Sequence, residues 1–140
     1  MSFRLHGTAV SAGGRGVLIR GPSGAGKSDL ALRLIDRGAA LIADDTVILV
    51  RHPDGLMLSG DPAFAGQIEL RGLGIGKVRN TASARLSAIV DLRADPPRFP
   101  LTRARLFGPF AIPFAQIDPR AASAPILVEL LLNGAVLPLG

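Results

Sequence analysis

Eight consecutive residues near the start of the chain could bind a phosphate group. They read Gly21-Pro22-Ser23-Gly24-Ala25-Gly26-Lys27-Ser28 and fit the phosphate-loop pattern G-x-x-x-x-G-K-[ST]. In such a loop the glycines let backbone N–H groups turn inward around an anion, and the start of the following helix adds its positive dipole. The Lys27 ammonium can reach the outer phosphates, and the Ser28 hydroxyl can ligate Mg²⁺. The pattern therefore predicts binding of a nucleotide polyphosphate.

The residues on either side of this loop support the same interpretation. An apolar run, Gly16–Arg20, predicts a buried strand leading into the loop. A helix is predicted from Lys27 to Arg37, with Gly38 as its C-terminal cap and with one apolar face made of Leu30, Ala31, Leu34 and Ile35. A glycine-rich turn with a chance lysine is the alternative, and the strand, loop and helix in succession disfavour it.

Two adjacent aspartates, Asp44 and Asp45, follow the apolar run Leu41–Ala43. Phosphoryl-transfer enzymes need an acid near the phosphates, which holds the metal or its water or accepts a proton. One of the two aspartates could act as the base while the other is a metal ligand or a structural support. An exposed acidic turn is the alternative, and the phosphate loop upstream favours a functional pair.

A second cluster reads Glu69-Leu70-Arg71-Gly72-Leu73-Gly74. Glu69 could complete an oxygen-lined Mg²⁺ site, and Arg71 could hold a phosphate with its planar guanidinium. Taken alone this cluster is a weak signal, because a Glu/Arg pair on a strand is commonly a solvated surface pair. His6, judged alone, is more simply interpreted as a structural residue.

The composition limits the classes of partner. The chain has 140 residues and 48% hydrophobic residues, which is enough for one domain with a core. Its net charge is +5, but it has no Trp or Tyr and no dense basic run, so nucleic-acid binding is not predicted. The absence of cysteine fits a reducing cytoplasm. The apolar stretch from Ile126 to Leu139 is too short for a bilayer and contains Glu129, so no membrane association is predicted.

The apolar periodicity and turn signals predict an α/β domain. Leu5–Val10 is predicted as a first strand, and a turn at Ser11–Arg15 returns the chain into Gly16–Arg20 as a hairpin. Gly72–Asn80 is predicted to be a mobile glycine-rich loop, and the segment Ala94–Leu106, rich in proline and arginine, is predicted to be exposed. Further strands are predicted at Ala40–Ala43, Thr46–Arg51, Leu56–Leu58, Gln67–Arg71, Leu86–Leu92 and Phe110–Ile117, with Pro125–Leu132 either a strand or a short helix.

Four of these motifs together resemble one family. His6-Gly7, GPSGAGKS, RGAALIADD and IELRGLGI occur here in the order and spacing of the bacterial HPr kinase/phosphorylase family. The resemblance covers Leu5 to about Ile75 and is looser beyond. It implies a P-loop-containing fold similar to that of phosphoenolpyruvate carboxykinase, a mixed sheet with few helices. It also implies that residues 1–140 form a single catalytic domain, without the N-terminal domain of longer family members.

The resemblance implies an activity and a partner. The family phosphorylates a serine of HPr, the small phosphocarrier of the sugar phosphotransferase system, with ATP or pyrophosphate as the donor and with Mg²⁺. Inorganic phosphate can reverse the transfer and release pyrophosphate. Family members are hexamers, so a homo-oligomer is compatible with the resemblance, although this shorter chain need not form one. Asp118–Ser123 corresponds roughly to a C-terminal loop that matters for dephosphorylation in the family.

The resemblance also implies residue roles. Asp45 would be the base that takes the serine proton, Lys27 would bind the transferred phosphoryl group, and His6 would be an active-site histidine. The metal ligands would be Ser28 and Glu69, with Asp44 supporting Asp45 or the metal. The family's later catalytic arginine falls in a divergent region, where the candidates in order of preference are Arg98, Arg103 and Arg105.

Two other functions stay open on the sequence alone. A P-loop kinase could phosphorylate a small metabolite instead of a protein. A nucleotide-sensing module could bind ATP without transferring phosphate and act through a partner that associates only when ATP is bound. Transfer of labelled phosphate to a protein, to a metabolite or to neither distinguishes the three.

Overall fold

A computed structural model describes residues 1–138; Leu139 and Gly140, the end of the predicted apolar stretch and of the predicted domain, lie outside the described residues. The chain is mostly sheet, with two α-helices and a short 3-10 turn at Pro62–Phe64 within the described range. The elements are β1 (Ser2–His6), β2 (Thr8–Ala12), β3 (Arg15–Arg20), α1 (Lys27–Asp36), β4 (Ala40–Ala43), β5 (Thr46–His52), β6 (Gly55–Ser59), β7 (Gln67–Leu70), β8 (Gly74–Lys77), β9 (Ser83–Leu92), β10 (Ala104–Phe107), β11 (Phe110–Ile117) and α2 (Ala124–Leu132).

Strand β9 organises the main sheet, whose order is β1-β5-β6-β9-β3-β2-β4. One edge of β9 pairs with β3 in parallel. Its other edge pairs antiparallel with β6 at Ser83–Arg85 and then parallel with β11 at Ile89–Leu92, and β10 extends β11. The sheet is therefore mixed, and β7 and β8 form a separate two-stranded hairpin.

The sheet buries apolar residues on both of its faces. Val17 and Ile19 of β3 share a core cluster with residues of α1 and α2, whereas Leu18 belongs to a second cluster with Leu58 on the opposite face. A strand that is covered on both sides reads as a continuous apolar run, which is why β3 is recognisable from sequence. The result is an α/β domain with both helices on one face of the sheet.

Helix α1 is flanked by two glycines that adopt left-handed backbone conformations. Gly26 precedes the helix with φ 102°, and Gly38 follows it with φ 113°. At the C-terminus, the N–H of Ala39 donates to Leu34 O and the N–H of Gly38 donates to Ile35 O, each at 3.0 Å. These two hydrogen bonds form the Schellman motif, which ends the helix within one residue of the predicted boundary.

The predicted first strand, Leu5–Val10, is broken at Gly7, where the chain changes partners, although its second half pairs with β3 in the predicted hairpin. The N–H of Gly7 donates to Asp45 O at 3.0 Å, and a Cβ at Gly7 would lie only 2.9 Å from Ile19 O. Residues before Gly7 form β1 and pair with β5, while residues after it form β2 and pair with β3 and β4. The break places His6 opposite Thr46, beside the aspartate pair.

The structure also corrects the prediction for the glycine-rich stretch after Leu70 and chooses between the two predictions for the segment before Leu132. The glycine-rich stretch after Leu70 is not simply a loop, because Gly74–Lys77 pairs with Gln67–Leu70. Residues 124–132 form a helix, the second of the two alternatives, with Pro125 in its first turn, where the missing N–H costs nothing. Within residues 1–138, no helix is both long and apolar enough to span a membrane.

Candidate functional site

A cleft of about 590 Å³ collects most of the residues singled out by the sequence. Its walls come from the loop before α1, the junction of β4 and β5, one side of β1, residues 60–69 and the β7–β8 hairpin. Members of the predicted set that line it are His6, Ser23, Gly24, Gly26, Lys27, Ser28, Asp44, Asp45, Glu69 and Arg71. The loop and the two acidic motifs therefore meet in one place.

Lys27 lies against the loop that precedes it. Its side chain is nearly buried, and Nζ donates to Gly21 O at 2.7 Å and to Pro22 O at 3.0 Å. The loop is tight enough that a Cβ on Gly21 would lie 3.1 Å from the Cβ of Ala25. An ammonium has three hydrogens, so one of them stays available to a phosphate oxygen. Lys27 can thus brace the loop and contact a ligand.

The Asp44 carboxylate joins three elements. Oδ1 accepts hydrogen bonds from Thr8 Oγ1 in β2 and from Ser28 Oγ in α1, both at 2.8 Å, and Oδ2 accepts from the Glu69 N–H in β7 at 3.0 Å. Thr8 is fully buried, and the sequence interpretation missed it. A single threonine in a strand is too ordinary to be a signal. Asp44 therefore holds Ser28 and Glu69 close together.

Asp45 points into the cleft from a strained turn. Its φ is 70°, and the Thr46 N–H donates to Asp44 O at 2.8 Å, which closes a three-residue turn centred on Asp45. The Asp45 side chain is 80% exposed, and its Oδ1 lies 3.5 Å from Nδ1 of His6. Left-handed backbone at a residue other than glycine is costly and is concentrated at functional sites. The turn presents a solvent-accessible carboxylate next to an imidazole.

The proposed metal ligands supply only oxygen atoms. Within residues 1–138, no group of three or more His, Cys, Asp or Glu side chains is placed to hold a metal ion. Ser28, Asp44 and Glu69 instead offer one hydroxyl and two carboxylates along the same cleft, where Asp44 accepts hydrogen bonds from Ser28 Oγ and from the Glu69 backbone N–H. Mg²⁺ in phosphate-transfer sites takes one or two carboxylates and fills its remaining positions with water and substrate phosphates. The donor set fits that ion.

Acidic side chains outnumber basic ones around the cleft. Arg4, Lys27 and Arg71 face the acidic set Asp29, Asp44, Asp45, Asp61 and Glu69. Arg71 lines the cleft as the sequence predicts for a phosphate-binding arginine, and Arg4 is a basic residue that sequence reasoning did not single out. A polyphosphate would add further negative charge, so cations from the protein or from solution are needed to offset it.

The three late arginines do not line this cleft. The guanidinium of Arg98 lies 5.6 Å from the ring centre of Phe99, its sequence neighbour. Arg103 donates to the carbonyl of Leu137 at 2.8 Å. The remaining candidate, Arg105, sits 3.7 Å from an Asp91 carboxylate and 4.3 Å from the ring centre of Phe114. The structure thus does not bring Arg98 to the aspartate pair.

The segment after β11 lies against the loop before α1. A Cβ on Gly26 would be 3.4 Å from the Cβ of Pro119. Arg33 of α1 donates through Nη2 to Pro119 O at 2.5 Å and through Nη1 to Ala121 O at 3.3 Å. These contacts tie residues 118–121 to the helix that carries Lys27 and Ser28.

Asp118 begins this segment and closes a small turn. Its Oδ1 accepts hydrogen bonds from the Arg120 N–H at 2.9 Å and from Arg120 Nε at 3.3 Å. The side-chain hydrogen bond from Arg120 lowers the pKa of Asp118. A carboxylate whose pKa is lowered by folding contributes stability above its unfolded pKa of about 4, and this stability is lost as the pH falls through the folded value.

Comparisons with known proteins point in one direction. The family model described as the HPr Serine kinase C-terminal domain matches residues 1–88. An HPr kinase/phosphorylase of Clostridium botulinum (strain Eklund 17B / Type B) is 49% identical over 73 residues, which are 51% of this chain and 24% of that protein. An HPr kinase/phosphorylase of Clostridium tetani is 43% identical over 91 residues, which are 64% of this chain and 29% of that protein. The chain thus spans about a quarter of the length of these curated relatives.

A solved structure extends the similarity to the C-terminal part. The Hpr(Ser) kinase/phosphatase from Coxiella burnetii superposes with a TM-score of 0.79 and 26% sequence identity. The match covers 95% of this chain and 95% of that one. The whole fold described above, including β9 to α2, is therefore similar to a solved relative.

Proposed function

The chain belongs to the HPr serine kinase C-terminal domain family, and from this premise we propose that it phosphorylates a serine of an HPr-type phosphocarrier protein with ATP. The observation that carries the proposal is the cleft in which Lys27 and Ser28 of the loop meet Asp44, Asp45 and His6. Phosphoryl transfer requires mainly positioning and charge neutralisation. The cleft positions these groups, and Lys27 together with a bound divalent cation would neutralise the phosphate charge.

Asp45 is the base of the proposed reaction. As the carrier's serine Oγ attacks the terminal phosphorus, its proton passes to the Asp45 carboxylate. The bond between that phosphorus and the bridging oxygen of ATP breaks, and ADP leaves with the electron pair. Asp45 suits this role because its carboxylate is exposed to an incoming acceptor, while Asp44 is engaged in three hydrogen bonds.

Three neighbouring groups prepare the donor and the base. Lys27 and the loop amides hold the outer phosphates, and His6 borders the Asp45 carboxylate and orients it. Ser28, Asp44 and Glu69 are the residues that hold Mg²⁺, which when bound neutralises phosphate charge. Arg71 adds a guanidinium at the hairpin side of the cleft.

The proposal also includes finer features that rest on the resemblance. In the reverse direction, an oxygen of inorganic phosphate attacks the phosphorus of phosphoserine, Asp45 returns the proton to the serine oxygen, and pyrophosphate is the product. Pyrophosphate can replace ATP as the forward donor. The P-loop fold resembling phosphoenolpyruvate carboxykinase, a single catalytic domain, a cytoplasmic location and assembly as a homo-oligomer belong to the same proposal.

Label transfer to the host's HPr-like carrier tests the function. Purified protein, Mg²⁺ and ATP labelled at the γ-phosphate should place label on a carrier serine. Lys27→Ala should lose both tight ATP binding and transfer. Asp45→Asn should retain ATP binding and lower the transfer rate by about 10²- to 10⁴-fold, the usual contribution of a general base.

A matched control removes the same charge elsewhere. Asp54 lies in the β5–β6 turn, outside the cleft, so Asp54→Asn should transfer phosphate at the wild-type rate. A fully active Asp45→Asn variant would overturn the assignment of the base. ATP binding without any transfer would favour the nucleotide-sensing module, and label on a small metabolite would favour a metabolite kinase.

A further inference from the structure

Arg4 faces the cleft beside the proposed base. In the β1–β5 pair, Arg4 lies opposite Ile48 and His6 lies opposite Thr46. Residues two apart on a strand share a face, and all four of these residues line the cleft. Leu5, which lies between them, packs instead against the core cluster behind the sheet. The strand therefore directs Arg4 and His6 to the same wall.

The Arg4 guanidinium is free to bind a ligand. Across residues 1–138, its side chain takes part in no hydrogen bond or salt bridge with another side chain or the backbone. Lys27, by comparison, already donates to two loop carbonyls. A guanidinium offers five N–H donors in a planar fork that matches the oxygens of a phosphate.

The position of Arg4 differs from that of the loop residues. Two residues along β1 amount to about 7 Å, so Arg4 and His6 border the same part of the cleft. His6 lies 3.5 Å from the Asp45 carboxylate, and in the proposed reaction the acceptor serine must come within reach of that carboxylate, so Arg4 and His6 border the place that the acceptor would occupy. The late arginines Arg98, Arg103 and Arg105 lie outside the cleft, as described above.

We propose that Arg4 binds the phosphate group on the acceptor side of the cleft, next to Asp45. The ligand is a phosphate dianion, either the phosphate carried by phosphoserine or inorganic phosphate bound in that same position when ADP fills the loop. This inference rests on the proposed function, which it deepens by assigning the arginine of the transfer site to β1. Arg4 supplies positive charge where Asp44, Asp45 and Asp61 leave the wall acidic.

Arg4 could instead serve only as a surface charge on an edge strand, without binding phosphate. β1 is an edge strand of the main sheet, and edge strands often carry charged residues that discourage pairing with other chains. Arg51 offers a control for the loss of an exposed arginine charge close to β1, because it lies on β5, the strand paired with β1, and outside the cleft. A Cβ on Gly108 would lie 3.5 Å from its Nη1, which places Arg51 near the β10–β11 turn.

Direct binding of inorganic phosphate decides between the two roles. Protein saturated with ADP and Mg²⁺ has its loop filled, so titrated phosphate reports on the acceptor side. Calorimetry should show the phosphate Kd rising about 10- to 100-fold in Arg4→Gln, as expected for losing charge-assisted hydrogen bonds, while the ADP Kd stays within about twofold. Arg4→Lys should fall between, because an ammonium keeps the charge without the fork. Arg51→Gln should match the wild type.

Several results would overturn the inference. One is an Arg4→Gln variant that binds phosphate as tightly as the wild type with an unchanged melting temperature. Another is a wild-type protein that binds no phosphate in the presence of ADP. A third is loss of phosphate binding in Arg98→Gln but not in Arg4→Gln, which would assign the role to the late arginine.

A transfer assay separates this inference from the proposed function. If the wild type phosphorylates the carrier, Arg4→Gln should lower kcat and leave the KM for ATP unchanged, because the contact forms only as the phosphoryl group moves from ATP towards the acceptor. Phosphorylated carrier and free phosphate, offered separately to the ADP-bound protein, show which source of phosphate Arg4 contacts. If the wild type transfers nothing, the proposed function fails, while the phosphate titration still decides the role of Arg4.

Discussion

At the scale of single residues, the two adjacent aspartates differ in the hydrogen bonds that their carboxylates accept. Asp44 has both carboxylate oxygens occupied by Thr8, Ser28 and the Glu69 N–H. Asp45 leaves its carboxylate in the cleft with only His6 beside it. The adjacent carboxylates therefore differ because one is surrounded by donors and the other is exposed. A positioning role suits Asp44, and proton transfer suits Asp45.

Thr8 offers a test of the positioning role. Thr8→Val removes a buried hydroxyl that donates to Asp44 without changing the side-chain volume much, so it should lower the free energy of unfolding by about 1 kcal/mol. It should also raise the Mg²⁺ concentration needed for half-maximal transfer, because Asp44 loses one of the donors that orient it. Thr8→Ser keeps the hydroxyl and serves as the control. Equal Mg²⁺ dependence in all three proteins would contradict the role.

The sequence predicted the site only as far as local patterns reach. The loop and the aspartate pair are each recognisable from neighbours in the chain, whereas the role of Glu69 rested on the family resemblance, and the structure brings all of them to one cleft. Thr8 and Arg4 were missed because their importance depends on partners in other strands. Arg98 was chosen from a divergent segment without periodicity, where nothing local indicates which way an arginine faces.

At the scale of elements, the segment 118–121 and helix α1 act as a unit. Arg33 bridges from the helix to two carbonyls of the segment, and Pro119 abuts Gly26 at the start of the helix. The segment is thus placed to set the conformation of the phosphate loop from outside the cleft. The family resemblance implies a rough correspondence of Asp118–Ser123 to the family's C-terminal loop, which connects this contact with the proposed reverse reaction.

Removing Arg33 should loosen this unit. Arg33→Ala should lower the free energy of unfolding by about 1.5 kcal/mol or more, since charged donors to two carbonyls are lost, and it should weaken ATP binding. Asp29→Ala removes the salt bridge between Asp29 and Arg33, 3.1 Å long, and should cost only about 0.3–0.5 kcal/mol. Chemical denaturation of both variants measures the difference in stability, and ATP titration is made with Arg33→Ala against the wild type, because Asp29 itself lines the cleft. Equal effects in the two variants would show that the carbonyl contacts contribute nothing.

The elements were predictable where the pattern is local. Strand β3 and helix α1 follow from apolar periodicity and from glycine caps. The break between β1 and β2 was missed, because Gly7 lies inside an apolar stretch and its partner, Asp45 O, is far along the chain. The β7–β8 hairpin was missed for the opposite reason, since its glycines suggest a loop and its pairing depends on the partner strand.

At the scale of the whole molecule, one sheet separates two core clusters. Leu34 is fully buried on the helix side, and Leu58 is fully buried on the other face. Both clusters include residues of β3 and β9, so the faces cannot separate without breaking the central strands. This arrangement favours a single cooperative unfolding transition.

Paired alanine variants test that cooperativity. Leu34→Ala and Leu58→Ala should each lower the free energy of unfolding by about 2–5 kcal/mol, as large-to-small changes in a packed core do. Because the two leucines belong to separate core clusters on opposite faces of the sheet, the double variant should equal the sum within about 0.5 kcal/mol. Circular dichroism during urea denaturation measures all three. Two separate transitions, each sensitive to one variant, would contradict a single cooperative unit.

The left-handed turn at Asp45 has a consequence for the descent of this protein. Asparagine and glycine adopt that backbone most readily, and aspartate differs from asparagine by one group of atoms. A lineage could therefore lose its base by a single exchange at this position while the turn, the loop and the core persist. Such a copy would be a stable nucleotide-binding protein without chemistry. The residue at position 45, aspartate or asparagine, would therefore distinguish an active enzyme from an inactive descendant.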